Sequence, residues 1–248
     1  MMLIHQATHF LGAQLVQTLN QHNFRYLVAV DDELVSFPPA FIAINLQQRL
    51  TTDILESWLD ENHAELEGIF HLDDRDTEQN ERAFRLLWQA GIDHQIPFVF
   101  RATASRATWI EQQARTPFFW AGLSWDQAFG PGDEGWVPQA YAIRAEDRTP
   151  PATTAGEHHW VYSKDIAETC YRLIRHRKDA GLYSLEGIPS VTLEQLATWT
   201  QQARENPNRS PAESVVPPPP SLREIGLDAA FFGTEAAVYD YVQNYLQM

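Results

Sequence analysis

A chain of 248 residues is long enough for one sizeable core, or for a main domain with a smaller lobe. Its composition, 44% hydrophobic and 21% charged, is that of an ordinary globular protein. The formal net charge of −15 argues against binding nucleic acid or an anionic membrane, since both reward clustered Lys and Arg. The lone Cys170 excludes an internal disulfide and any multi-Cys metal site, and its neighbours Ile166, Tyr171, Leu173 and Ile174 point to a buried helical thiol. No basic stretch followed by an apolar core opens the chain, and no apolar run approaches the roughly 18 residues of a membrane span. The expectation is a cytoplasmic protein.

In chain order, Met2-Leu3-Ile4 reads as a first strand and Ala13 to Asn20 as a helix with Leu15, Val16 and Leu19 on one face. Tyr26 to Val30 is a second strand ending at Asp31, and Ala40 to Leu46 is a third apolar run. Thr51 to Leu59 predicts a helix, Leu66 to Leu72 a strand ending in Asp73-Asp74, and Asn80 to Ala90 an amphipathic helix. Ile96 to Phe100 is a further strand and Phe118 to Leu123 another. Gly130 to Gly156 is rich in Gly, Pro and charge, as suits loops of a second lobe. Asp165 is placed as the cap of a helix over Ile166 to Arg177, followed by a strand from Gly181 to Leu185. Thr192 caps a helix from Leu193 to about Arg204, Pro217 to Pro220 must be extended, and a last helix runs from Thr234 to Gln247. Alternating strands and helices argue for a doubly wound parallel sheet, a Rossmann-like α/β fold with a small, reduced C-terminal lobe. The division is 1–132 and 133–248, with 160–186 returning to the sheet.

The segment His5 to Gly12 occupies the place of a dinucleotide-binding loop: strand, turn, helix, strand and, about 20 residues on, the terminal acid Asp31. Of the three glycines such a loop uses, only the last position, Gly12, holds one; Gln6 and His9 stand at the first two.

Several landmarks in order make the chain resemble the extended short-chain dehydrogenase/reductase family, the nucleotide-sugar epimerases and dehydratases. Within it the chain looks most like ADP-heptose 6-epimerases. The family's T-G-G-A-G-F-I-G loop corresponds to His5 through Gly12, and its acid after the second strand to Asp31. Its I-F-H strand end matches Ile69-Phe70-His71, its I-P-F strand runs from Ile96 to the Ser/Thr position at Thr103, and its G-P corner matches Gly130-Pro131. Its F-V-Y-V-x-D-V-A segment matches Trp160 to Ala167.

What the resemblance implies then meets three departures. The first glycine permits a tight turn, the second lets the pyrophosphate approach, and the third packs helix on strand. A Cβ at His9 projects toward the space of the pyrophosphate, although a protonated His9 would attract phosphate. Asp73-Asp74 stand where the family has small neutral residues, and oppose an anion unless a metal or Arg75 compensates; a solvated acidic loop is the favoured reading. The third departure concerns the Tyr with a Lys four residues later, whose ammonium lowers the phenol pKa for proton shuttling. Trp160 precedes Lys164 by four and Ile174 precedes Lys178, the two lysines of the chain, so neither qualifies. Between Thr103 and Gln127 the chain is too short for the family's usual loop, helix and strand, and Thr103 without partners reads as a strand-end polar group. His158-His159 lack a third metal ligand, and Trp120, Trp125, Trp136 and Trp160 are read as packing rather than a ligand pocket.

The expectation is a catalytically degenerate relative of these epimerases, acting as a binding, regulatory or assembly protein on a protein partner, with no cofactor and no metal. Gly12, Asp31 and His9 are the vestigial cofactor positions. The alternative is an epimerase or reductase that binds NAD(P) or a nucleotide sugar in a non-standard site, with Asp31 on a ribose and Thr103 near the substrate.

Overall fold

The computed structural model describes residues 1–41, 43–73, 75, 77–113, 118–135, 137–139, 141, 156–186, 189–209, 211 and 215–246. Asp74, Trp136 and most of the stretch between Gly130 and Gly156 lie outside the described residues. The chain divides into two compact units, Met1–Ser124 with Ile166–Tyr183, and Trp125–Asp165 with Ser184–Met248.

The first unit is built on a seven-stranded sheet. In chain order its strands are β1 (Met2–His5), β2 (Leu27–Asp31), β3 (Gln48–Thr51), β4 (Gly68–His71), β5 (Phe98–Arg101), β6 (Trp120–Ser124) and β10 (Gly181–Ser184). Their spatial order is β10-β6-β5-β4-β1-β2-β3, and β1 to β6 pair in parallel. The central strands β1, β2, β4 and β5 are buried at every position, which is why they read as unbroken apolar runs. Helices α1 (Phe10–Gln21), α2 (Leu55–Asn62), α3 (Glu78–His94) and α4 (Ala104–Glu111) make the crossovers. Phe84, Leu87 and Trp88 of α3, with Leu55 and Trp58 of α2, pack on Leu3, Val28, Ile69, Phe98 and Phe100 of the sheet. The chain returns in α5 (Ser163–His176), where Tyr171 stacks on His22 at 3.7 Å. Strand order reverses between β1 and β4, and a doubly wound sheet opens its crevice at the carboxyl ends of the strands flanking such a point.

Two local expectations are corrected here. The described residues of the apolar run Ala40 to Leu46 form no strand; β3 follows the run as Gln-Arg-Leu-Thr, with Leu50 its one buried residue. An edge strand has one paired side and little to bury, so it needs no apolar run. The stretch after Thr103 does hold a helix, α4, of eight residues, beside the strand expected over Phe118 to Leu123, which is β6, of five residues.

In the second unit β7 (Gln127–Phe129) pairs in parallel with β9 (Trp160–Tyr162). Antiparallel pairs join β8 (Glu157–His158) to β11 (Val191–Thr192) and β12 (Val215–Val216) to β13 (Phe231–Phe232). Helix α6 (Leu193–Glu205) starts in a capping box: Thr192 accepts from the Gln195 N–H and Gln195 accepts from the Thr192 N–H. Pro220 is the first residue of α7 (Pro220–Glu224), not part of an extended run, since proline at the first helical position loses no intrahelical bond. Helix α8 (Thr234–Tyr241) passes into a π-helical turn, Val242–Leu246. Phe129, Trp160, Tyr162, Leu196, Val238 and Tyr241 form this unit's core. No described helix is long and apolar enough to cross a membrane.

Candidate functional site

The site begins with four residues. β1 ends at His5 and α1 begins at Phe10, so Gln6 to His9 must reverse the chain. Gln6 does so at φ 56°, the left-handed conformation that glycine adopts without strain. The loop therefore keeps the turn of a glycine fingerprint although the glycine is absent. Gly12 explains its own presence. A Cβ there would lie 2.2 Å from the Gln6 carbonyl oxygen and 2.8 Å from Ala7 Cα. His9 is the N-cap residue of α1, and its side chain does not cap the helix.

Register then places Asp31. β2 runs beside β1 with His5 opposite Val30, which brings the next residue against the loop. Thr8 donates to Asp31 Oδ1 from its backbone N–H at 2.8 Å and from its hydroxyl at 2.7 Å. Asp31 Oδ2 is buried with no partner. Burial pushes the Asp31 carboxyl above the usual carboxylate range, against the lowering effect of the two Thr8 bonds. The side chain lines a cavity of about 410 Å³ together with Gln6, Thr8, His9, Asp32 and Arg75. Gln6 Nε2 is likewise buried without an acceptor.

The end of β4 supplies the opposite wall. Asp73 is 1% exposed, so the solvated reading of this acid is wrong. Arg75 compensates it: Nε and Nη2 reach Asp73 Oδ2 at 2.7 and 2.6 Å, and the Arg75 N–H donates to Oδ1 at 3.0 Å. Arg75 Nη2 also stands 3.5 Å from Asp32 Oδ2, while Gln79 Nε2 and Thr52 Oγ1 donate to Asp32 Oδ1. Behind Asp73, the fully buried Arg106 of α4 bonds the Asp73 and Arg101 carbonyls through Nη1 and Glu81 through Nε at 2.8 Å. Thr103 is the N-cap of α4, accepting from the Arg106 N–H and sharing a 2.9 Å hydrogen bond with Ser105. Its hydroxyl is engaged in the fold.

Beneath the loop lies a pair that the sequence did not announce. His5 and His71 are opposite one another on β1 and β4, stacked at 4.7 Å between ring centroids. All four ring nitrogens are buried without a partner. Burial lowers the His5 pKa to about 4 and the His71 pKa well below its ordinary value, so both rings are neutral near pH 7.

Neither lysine meets a tyrosine in the spacing required for proton shuttling, and α4 contains neither residue type. In the second unit Lys164 and the Tyr162 hydroxyl both bond Asp240 Oδ2, the lysine at 2.6 Å, beneath the Tyr245 ring. That cluster ties β9 to α8. His158 bonds Asp126 at 3.1 Å, Trp160 packs in the second unit's core, and Trp120 packs against that of the first.

Neither the models of known families nor the curated proteins contain a match to this chain. Solved structures do. The Bordetella bronchiseptica enzyme WbmH in complex with NAD+ superposes with a TM-score of 0.75 at 14% identity, covering 98% of this chain and 97% of the other. UDP-glucose 4-epimerase from Thermotoga maritima, solved with UDP-glucose, gives 0.76 at 14% identity, covering 99% and 98%. The NAD-dependent NDP-hexosamine 5,6-dehydratase TunA of tunicamycin biosynthesis gives 0.74 at 13%, covering 100% and 98%. The fold is that of the NAD-dependent nucleotide-sugar epimerases and dehydratases. These likenesses overturn the expectation of no cofactor, because WbmH holds NAD+ and the similar WbmF was solved with NADH on the same fold. The lost glycines do not exclude one: Gln6 keeps the turn, Gly12 keeps the packing, and Asp31 keeps a carboxylate oxygen without a partner.

Proposed function

We propose that this chain binds a nucleotide of the nicotinamide dinucleotide class without turning it over, and acts through a protein partner. The observation that carries the reading is the Asp31 carboxylate. Thr8 holds one oxygen, the other is buried without a partner, and the residue lines a cavity of about 410 Å³. A carboxylate in that state accepts a ribose hydroxyl at the strand end where this fold places one. The dinucleotide held by WbmH and WbmF supports the ligand class. The absence of a Tyr with a Lys four residues on supports the lack of turnover, since without it the chain has no activated phenol to move a proton. Bound ligand then has an effect only through another molecule. The loop after β2 offers it a surface, with Leu34 59% and Val35 47% exposed and Val35 at the cavity.

Calorimetric titration with NAD+ tests binding, and chromatography of UDP-glucose incubated with the NAD+-loaded chain tests turnover. The reading predicts saturable binding and unchanged UDP-glucose. Conversion of the sugar nucleotide to an epimer or a dehydrated product contradicts it.

A further inference from the structure

Resting on the nucleotide-binding reading above, we infer that the Gln6 side chain is a ligand contact: its carboxamide donates a hydrogen bond to a phosphate oxygen of the bound nucleotide. Three observations meet at this residue. Gln6 takes a left-handed φ of 56°, which a side chain adopts at a conformational penalty that glycine escapes. Gln6 is only 6% exposed, and Nε2 has no acceptor in the protein. An orphaned buried donor is a second penalty at the same position. Finally, the residue lines the same cavity as Asp31. A position that tolerates both penalties, where glycine would avoid them, is explained by a ligand atom that completes the hydrogen bond.

The charges around the cavity choose which atom. Asp31 ends β2 and Asp32 and Glu33 follow it; these carboxylates repel an anion and favour hydroxyl donors, while Arg75 on the same cavity is paired with Asp73 and Asp32. Gln6 belongs to the turn that leads into α1, where its carbonyl accepts the His9 N–H at 3.2 Å. That helix has no side-chain cap, so the amides of its first turn carry the positive end of the helix dipole. Ribose hydroxyls therefore belong on Asp31 and phosphate oxygens on Gln6.

The test compares NAD+, AMP and adenosine by calorimetry on the full chain and on Gln6→Met, which keeps the length and removes the donor. Expected is a loss of about tenfold for NAD+ and AMP, the equivalent of one hydrogen bond, with adenosine unchanged. Gln6→Gly should show the same loss together with a raised melting temperature, because it removes strain and an orphaned donor at once. A Gln6→Met protein that binds NAD+ like the wild type overturns the contact while leaving the nucleotide-binding reading intact. An equal loss for adenosine overturns the assignment to phosphate. A lowered melting temperature in Gln6→Gly would mean that Gln6 serves the fold instead. A wild-type chain that binds none of the three overturns the contact and the reading together.

Discussion

Asp31 and the two buried histidines are among the residues where the fold leaves polar atoms unanswered. At Asp31 the neutral amide of Asp31→Asn keeps an oxygen for Thr8 but replaces the open acceptor with a donor. A hydrogen bond to a charged group is worth about 1.5–3 kcal/mol, so NAD+ affinity is expected to fall roughly 10- to 100-fold in a calorimetric titration. His5 and His71 make a prediction about pH. Their folded pKa values lie below the unfolded value of 6.5, so the unfolded chain binds more protons in acid and stability falls as pH falls. For His5 the loss runs from 6.5 down to about 4. Each histidine contributes a slope of about 1.4 kcal/mol per pH unit inside its window. Urea denaturation at several pH values should show His5→Leu flattening that slope by one proton; an unchanged slope would mean that His5 is not held neutral.

At the scale of elements, two contacts set how the loop and the crossover helices seat on the sheet. Gly12→Ala would drive a Cβ into the Gln6 carbonyl at 2.2 Å, and backbone on that side cannot rotate away. Overpacking of this kind costs about 1–3 kcal/mol, measurable as a lowered urea midpoint. Arg106 joins α4 to α3 and to the ends of β4 and β5 through Glu81, Asp73 and Arg101. Arg106→Leu takes the donor from the Asp73 and Arg101 carbonyls and from the partly exposed Glu81 carboxylate, and is expected to destabilise by about 1–3 kcal/mol. The central strands were legible as apolar runs because burial on both faces demands it, and Thr192 was legible as a cap because its chemistry is local. The edge strand β3 was hidden for the opposite reason, since one buried residue leaves no pattern. Pro220 misled because proline breaks helices everywhere except at their start.

Across the whole molecule the candidate site was half legible. Gly12 and Asp31 declare themselves by spacing, within a strand-helix-strand unit that the sequence shows. The stacked His5–His71 pair depends on β4 lying beside β1, and strand order does not follow chain order. The Arg75–Asp73 pair was visible as a possibility, but its burial depends on α3 and α4 closing behind it. The left-handed turn at Gln6 was misread as a loss because residue identity was taken for backbone geometry. The proposed role also predicts that NAD+ strengthens or weakens partner binding, which pull-down from the native host with and without NAD+ would reveal; equal capture under both conditions argues against regulation by the ligand. The central claim is that Asp31 and the turn at Gln6 form a working nucleotide site. Calorimetric titration of the wild-type chain and Asp31→Asn with NAD+ tests it most directly. The account predicts saturable one-to-one binding that weakens at least about tenfold in the variant; no binding by the wild type, or equal binding by both, would contradict it.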